Sequence, residues 1–124
     1  MIRVVKLRKS FGNQEVLRGV DLVIPKGKIT AIIGRSGGGK SILLKHLIGL
    51  MCPDSGEVWI DGMEITRMTR RDLSRVKGRF GFLFQGAALF DSMTVFENIA
   101  FPLKEKTRLS EEAIRAKVEE KLQE

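Results

Sequence analysis

The chain has 124 residues, of which 43% are hydrophobic and 30% charged, a composition typical of a globular domain. The sequence contains no apolar run near the roughly 18 residues of a transmembrane helix, and its first residues do not resemble a signal peptide. Cys52 is the single cysteine, which excludes an internal disulfide and fits a reducing compartment. The net charge of +7 favours an anionic partner such as nucleotide phosphates, a nucleic acid or an acidic lipid surface.

The first third of the chain predicts three strands. Residues 2–7 and 16–24 alternate between apolar and polar side chains, as half-buried strands do. A proline-glycine turn at 25–27 follows. Residues 28–33 then form a short apolar run, which predicts a strand buried on both faces.

A glycine-rich motif follows this third strand. The sequence GRSGGGKS at 34–41 fits the pattern G-x-x-x-x-G-K-[S/T] and precedes a predicted helix at 40–50. Its glycines let backbone N–H groups converge on phosphate oxygens, at a point where the positive helix N-terminus also lies. Lys40 would reach the β- and γ-phosphates, and the Ser41 hydroxyl would coordinate Mg²⁺. The predicted nucleotide contacts are Gly34, Ser36, Gly37, Gly38, Gly39, Lys40 and Ser41.

A hairpin, a short helix and another strand are predicted next. Residues 57–60 and 63–66 flank Asp61-Gly62, a strong two-residue hairpin signal. Thr69 opens a capping-box pattern, which predicts a helix to about residue 77. Residues 80–84 are apolar and predict a further buried strand.

Two helices are predicted near the end of the sequence. Thr94 and Glu97 form a second capping-box pattern, and Pro102 is expected to limit the helix that they open. Ser110 can cap a last helix. That helix carries an apolar stripe of Ile114, Val118 and Leu122.

Several conspicuous residues have ordinary structural interpretations. His46 lies inside a predicted helix and is interpreted as a helix residue, not as a ligand. Trp59 alternates with Val58 and is expected to pack, and Cys52 is expected to be a passive side chain in a turn. The dense basic stretch at 67–79 is interpreted as a solvated helix face, so no nucleic-acid partner is expected.

Over residues 4–124 the chain resembles the ATP-binding subunit of ABC transporters. The resemblance rests on the segments SFG…VLRGVDLVIPKGKITAIIGRSGGGKS, GLMCPDSGEVWIDG and GFLFQGAALFDSMTVFENIAFPL. It implies an α/β P-loop NTPase fold with an antiparallel β-subdomain and an incomplete parallel core sheet, which would hold 28–33 and 80–84 as non-adjacent strands. Within the family, FQGAALFDSMTVFENIAFPLKEKTRLSEE is most similar to bacterial phospholipid and Mce-type lipid transporters.

The resemblance also implies roles for further residues, with ATP and Mg²⁺ as cofactors. Phe11 matches the aromatic residue that stacks on adenine, although an ordinary apolar residue at a strand end remains an alternative. Gln85 matches the glutamine that contacts Mg²⁺ and the attacking water, and is the expected catalytic residue. With Ser41 it is also an expected metal ligand, unless it is only a polar loop residue. Gly38 departs mildly from the family, in which many members carry a larger residue.

The partners implied by the resemblance are a membrane permease and a second ATP-binding subunit in a homodimer. Residues 87–102 match the region that meets the permease, so contact with the membrane would occur only through that subunit. The location implied is peripheral, on the cytoplasmic side of the bacterial inner membrane. The apolar residues of this region could contact the permease or pack inside the helical subdomain; they are Phe90, Met93, Val95 and Phe96.

Three catalytic features of the family are not found in these 124 residues: a strand ending in Asp-Glu, an LSGGQ-like signature and a switch histidine. Residues 1–124 are therefore interpreted as the N-terminal portion of an ABC nucleotide-binding domain, truncated before the signature and the Asp-Glu strand. We expect no ATP hydrolysis from this chain alone. We also expect the unpaired parallel strands to pair with a second copy or to rearrange within the chain.

Three alternative functions are weighed against transport. A soluble ABC-type ATPase of translation or DNA repair would be supported by an inserted arm or a second cassette, and the sequence shows neither. A P-loop kinase would not explain GFLFQ or the Phe11 segment. A module that binds nucleotide without turnover would be indicated by ATP binding in the absence of hydrolysis.

Overall fold

The amino-terminal part of the chain builds an antiparallel sheet with two short helices. The computed structural model describes residues 1–84, 86 and 88–124, which divide into two units, Met1–Gly81 and Phe82–Glu124. The first unit contains β1 (Ile2–Phe11), β2 (Gln14–Ile24), α1 (Lys40–Leu47), β3 (Ser55–Ile60), β4 (Met63–Glu64) and α2 (Arg70–Lys77). Its strands lie in the order β2-β1-β3-β4, with every neighbouring pair antiparallel. The predicted hairpin around Asp61-Gly62 is thereby confirmed.

A bulge in β1 sets the geometry of this sheet. Lys6 has a positive φ of 46° and lies where the pairing with both neighbouring strands shifts by one residue. Its N–H leaves the ladder and donates to Asp21 Oδ1 at 2.9 Å. On the other side of β1 the bulge faces Gly56 of β3, which has a φ of 92°. An extra residue of this kind bends and twists the strand locally.

The core of the first unit joins the sheet to the helices. Leu7 and Val58 are fully buried, and α1 adds Leu43 and Leu47 to the same cluster. The capped helix after Thr69 is also confirmed, since the Thr69 hydroxyl accepts a hydrogen bond from the N–H of the third helical residue. The remaining buried members of the cluster are Val4, Leu17, Ile60, Ile65 and Val76.

Two predicted strands and the end of α1 differ from the sequence-based expectation. Within the described residues, neither 28–33 nor 80–84 forms a strand, and Ile29 and Ile33 are 102% and 93% exposed. A strand buried on both faces needs hydrogen-bonded neighbours, whereas the described sheet contains only β1 to β4. It is therefore not rearranged to include these segments, and exchange with a second copy stays a prediction. Helix α1 ends at Leu47 rather than at residue 50, because Gly49 adopts a φ of 67°.

The second unit is a pair of helices, α3 (Val95–Lys106) and α4 (Glu111–Gln123). The capping box at Thr94 is confirmed, but Pro102 does not limit α3, which continues through it to Lys106. The fixed φ of proline suits a helix, and the buried Ala100 packs against Ile114 and Val118 of α4. Leu122, the third residue of the predicted stripe, is 55% exposed.

Candidate functional site: a phosphate-binding loop

The loop at 34–41 is shaped by two glycines with left-handed backbone. Gly37 and Gly39 have φ values of 75° and 87°, which residues with a Cβ rarely adopt. Between them, the Gly38 N–H donates to Arg35 O at 3.1 Å and closes a turn. A Cβ on Gly38 would lie 3.0 Å from that same oxygen. Gly37 and Gly39 therefore meet a backbone requirement that other residues would satisfy only with strain, whereas Gly38 has a close contact but no positive φ.

Gly39 is also the point at which the loop touches the sheet. A Cβ there would lie 2.9 Å from Val16 Cγ1 and 3.2 Å from Leu17 Cδ2. Gly39 is buried, unlike the preceding loop residues. The beginning of β2 thus fixes the position of the loop at its junction with α1.

Helix α1 offers unpaired backbone donors to an anion. Gly39 is its N-cap, and among the described residues no side chain caps it. Its first turn holds no acidic residue that would repel phosphate. The first N–H groups of a helix have no partner within the helix, and they carry the positive end of its dipole. Ser41 is exposed in this first turn, where its hydroxyl is accessible to a metal ion.

Lys40 spans the loop. Its Nζ donates to the carbonyl oxygens of Gly34 and Arg35 at 2.7 and 2.6 Å. These bonds hold the ammonium group at the start of the loop, and Ser36, the next residue along the chain, is exposed. An ammonium carries three donor hydrogens, so the two carbonyl bonds leave one for an additional acceptor.

Phe11 ends β1 at the tip of the β1–β2 hairpin, where its side chain is 45% exposed. Lys9 Nζ lies 5.7 Å from the centre of its ring. The strand that leaves this tip, β2, begins at Gln14 and reaches Gly39 two residues later through Val16. A few residues of β2 therefore connect the aromatic ring to the glycine loop.

The predicted catalytic and metal residue, Gln85, lies outside the described residues. Its assigned roles stay a prediction, as does its pairing with Ser41 around Mg²⁺. Among the described residues there is no group of three or more His, Cys, Asp or Glu side chains placed to hold a metal ion.

His46 and Cys52 lie in the same unit as the loop. His46 is 1% exposed, and its Nδ1 lies 2.7 Å from Ile42 O in the preceding turn of α1. It is thus a buried helix residue, and its Nε2 has no hydrogen-bond partner in the described part of the chain. Cys52 is exposed and free.

Two contacts at this site have no signal in the sequence. Val16 shows only a strand pattern, yet it sets the space available at Gly39. Asp54 resembles an ordinary turn residue, but its carboxylate accepts hydrogen bonds from the Lys9 side chain and the Ser10 N–H. The Lys9 side chain and then the Ser10 N–H lower the pKa of Asp54. Both contacts depend on tertiary structure that residue patterns do not encode.

A glycine loop of this conformation, ending in an uncapped helix and bridged by a lysine, has the form of a P-loop. The sequence pattern of the ABC transporter family matches residues 17–124. The chain belongs to that family. None of the helices in the described ranges combines the length and the apolar character that a bilayer span requires.

Relatives in other bacteria match nearly all of this chain over part of their own length. A probable ribonucleotide transport ATP-binding protein, mkl, of Mycobacterium leprae is 46% identical over 98% of this chain and 35% of its own length. The intermembrane phospholipid transport system ATP-binding protein MlaF of Haemophilus influenzae is 43% identical over 99% of this chain and 47% of its own. The chain thus spans about a third to a half of these relatives.

Solved structures agree with this assignment. A dimeric ATP-binding cassette in a post-hydrolysis state, bound to ADP and Pi, is 32% identical and superposes with a TM-score of 0.84. The match covers 97% of this chain and 55% of that one. The expected fold class, an α/β P-loop NTPase of the ABC ATPase type, is therefore confirmed.

Proposed function

We propose that residues 1–124 are the ATP-binding, N-terminal portion of an ABC transporter ATPase that powers transport across a membrane, with lipid as the cargo. The observation that carries the nucleotide part is the loop at 34–41. It combines left-handed glycines, free helix donors and a bridging lysine at one position. Family membership favours a transporter ATPase over the kinase alternative.

In this proposal the loop residues bind the triphosphate through charge and position. Lys40 exchanges at least one of its carbonyl partners for the β- and γ-phosphate oxygens, which form stronger, charge-assisted bonds. The backbone N–H groups of the loop and of α1 surround the same phosphates. The Ser41 hydroxyl fits a Mg²⁺ ligand, since Mg²⁺ prefers oxygen donors and supplies charge neutralisation when bound. Phe11 offers an exposed ring on which adenine can stack.

Calorimetric titration with MgATP tests the nucleotide site. We expect Lys40→Ala to weaken binding by at least about 1.5 kcal/mol, the usual scale for a hydrogen bond to a charged group, or about tenfold in Kd. Lys45→Ala is the matched control, because Lys45 lies on the same helix but in its last turn. Equal affinities for the wild type and Lys40→Ala would refute the P-loop assignment.

Hydrolysis is assigned to the longer protein rather than to these residues alone. Gln85 would position the attacking water and sense the γ-phosphate, while the Asp-Glu strand, signature and switch histidine would come from the rest of the domain and its dimer partner. The length of the relatives supports this division. A phosphate-release assay on residues 1–124, with Lys40→Ala as the control, is expected to show only background turnover. Activity abolished by Lys40→Ala would contradict the division.

The cargo proposal rests on the likeness of the 84–112 region to lipid transporters and on the phospholipid transport relative. The mkl relative is named for the transport of a different cargo, ribonucleotides. The assay must therefore distinguish lipid from ribonucleotide. The full-length protein, assembled with its permease, is expected to hydrolyse ATP faster when given phospholipid vesicles than when given ribonucleotides. The reverse result would assign the other cargo class.

The proposed partners are a permease and a second copy of the ATP-binding subunit, at the cytoplasmic face of the bacterial inner membrane. In the second unit, Phe90 and Val95 are 47% and 66% exposed, whereas Phe96 packs partly against the α3–α4 core. The first two therefore provide apolar surface for a permease contact, and Phe96 contributes to packing. Charged substitutions at Phe90 and Val95 are expected to weaken co-purification with the permease while MgATP affinity is retained.

A further inference from the structure

The end of β1 that carries Phe11 has less support than the rest of the strand. In the described residues, β1 pairs with β3 only as far as Arg8, opposite Ser55. Beyond Arg8 it pairs with β2 alone, and the register of that pairing shifts between Lys9 and Ser10. A two-stranded ribbon is marginally stable in water. The Phe11 ring would therefore need another contact to keep one orientation.

Asp54 supplies that contact from the turn before β3. Its N–H donates to Arg8 O at 3.0 Å. Its two carboxylate oxygens accept from the Ser10 N–H at 2.6 Å and from Lys9 Nζ at 2.9 Å. One residue thus bonds to each of the three residues that precede Phe11, and its side chain replaces the missing strand at Ser10.

The Lys9 side chain links Asp54 to the aromatic ring of Phe11. Lys9 and Phe11 are two residues apart in a strand, so their side chains share a face of the sheet. The Lys9 side chain is only 19% exposed, and its Nζ lies 5.7 Å from the centre of the Phe11 ring. A cation over one ring face is attracted by the ring's quadrupole and leaves the opposite face for stacking.

We propose that Asp54 is a positioning residue for the nucleotide base: by holding Lys9 and Ser10 it fixes the Phe11 ring against which adenine stacks. The proposal rests on the proposed ATP-binding function and adds to it a residue outside the glycine loop. Asp54 bonds to the β1 end alone and has no bond to the loop at 34–41 among the described contacts. We therefore expect Asp54 to contribute to binding of the base and not to binding of the phosphates.

The test compares two ligands that share the phosphate chain but differ in the base. MgATP and magnesium tripolyphosphate are titrated into the wild type, Asp54→Asn and Asp61→Asn. Asp61 is the matched control, because it follows β3 as Asp54 precedes it and is also paired, with the N-terminal amine and Arg79. We expect Asp54→Asn to raise the Kd for MgATP about threefold to tenfold, the scale of one aromatic contact. Its Kd for tripolyphosphate should not change, and Asp61→Asn should alter neither.

A double-mutant cycle shows whether Asp54 acts through the ring. If it does, Asp54→Asn has no further effect on MgATP affinity in a Phe11→Ala background. Lys9→Met, which removes only the cation, should reproduce part of the loss and serves as the readout if Asp54→Asn does not fold. The proposal is overturned if Asp54→Asn weakens both ligands equally, leaves MgATP unaffected, or adds fully to Phe11→Ala. Failure of the wild type to bind either ligand would instead refute the P-loop function.

Discussion

Gly56 allows the sharpest prediction about how the sheet is built. It lies in β3 opposite the bulge of β1 and has a φ of 92°. A Cβ at this position would lie 2.5 Å from Lys6 O and 2.6 Å from Leu7 Cα. Both are backbone atoms of the neighbouring strand and cannot rotate away as a side chain would. The substitution Gly56→Ala must therefore either push β1 and β3 apart or force residue 56 out of its left-handed conformation.

The expected cost has two parts. A left-handed backbone costs a residue with a Cβ about 1–2 kcal/mol, and overpacking of a close contact typically adds about 1–3 kcal/mol. Gly56→Ala should thus lower the free energy of unfolding by about 2–5 kcal/mol, a large fraction of a domain's stability. Gly62→Ala isolates the first part, because Gly62 has a φ of 84° and a Cβ there would meet no described atom within 4 Å.

Urea unfolding measures the difference through Trp59, the one tryptophan of the sequence, which lies in β3 itself. With a denaturant slope of about 2 kcal/mol per M, the midpoint should fall by about 1–2.5 M in Gly56→Ala. In Gly62→Ala it should fall by about 0.5–1 M. Equal midpoints for the two variants would show that the strands relax around the added methyl group. The steric argument at the β1 bulge would then be wrong.

Other predictions concern the loop and the helices. In calorimetric titrations, Gly39→Ala should weaken MgATP binding more than Gly37→Ala. Both glycines have a positive φ, but only Gly39 lies against Val16. Equal losses of affinity would contradict a role for that contact. The Thr94 N–H, followed by the Thr94 hydroxyl, lowers the pKa of Glu97 below its ordinary 4.5. The stability this adds is complete above that value and is lost as the pH falls through the lower folded pKa, so helical circular dichroism of Glu97→Gln should lack this acid transition. If the variant retains it, another group is responsible.

The local elements were predictable because their signals are local. Asp61-Gly62 specifies a hairpin through two residues with positive φ, and Thr94 specifies a helix start through its bonds with Glu97. The glycine loop is also local, since its pattern, its preceding residues and its helix lie within one short stretch. Such features form wherever the surrounding chain permits them, so the sequence alone predicts them well.

The predictions of buried strands at 28–33 and 80–84 were wrong because strand formation depends on partners that a local pattern does not reveal. Ile29 and Ile33 have the composition of a central strand, but a strand exists only where another one pairs with it. The apolar pattern at 28–33 and 80–84 reports what these residues prefer to contact, not whether those contacts are available. Pro102 is the converse case: a residue that breaks helices in general is retained in α3, where packing of Ala100 on α4 holds the helix together.

The candidate site combines both kinds of information. The P-loop is specified within its own sequence, whereas the position of Phe11 depends on residues far away in the chain, Asp54 above all. Between them runs the start of β2, which leaves the Phe11 turn at Gln14 and contacts Gly39 through Val16. This connection is only a few residues long and part of a hydrogen-bonded strand, so it sets the spacing between the hairpin tip and the loop. The base and phosphate parts of the site are thus joined by one strand but held by separate contacts, Asp54 at the hairpin tip and Val16 at the loop.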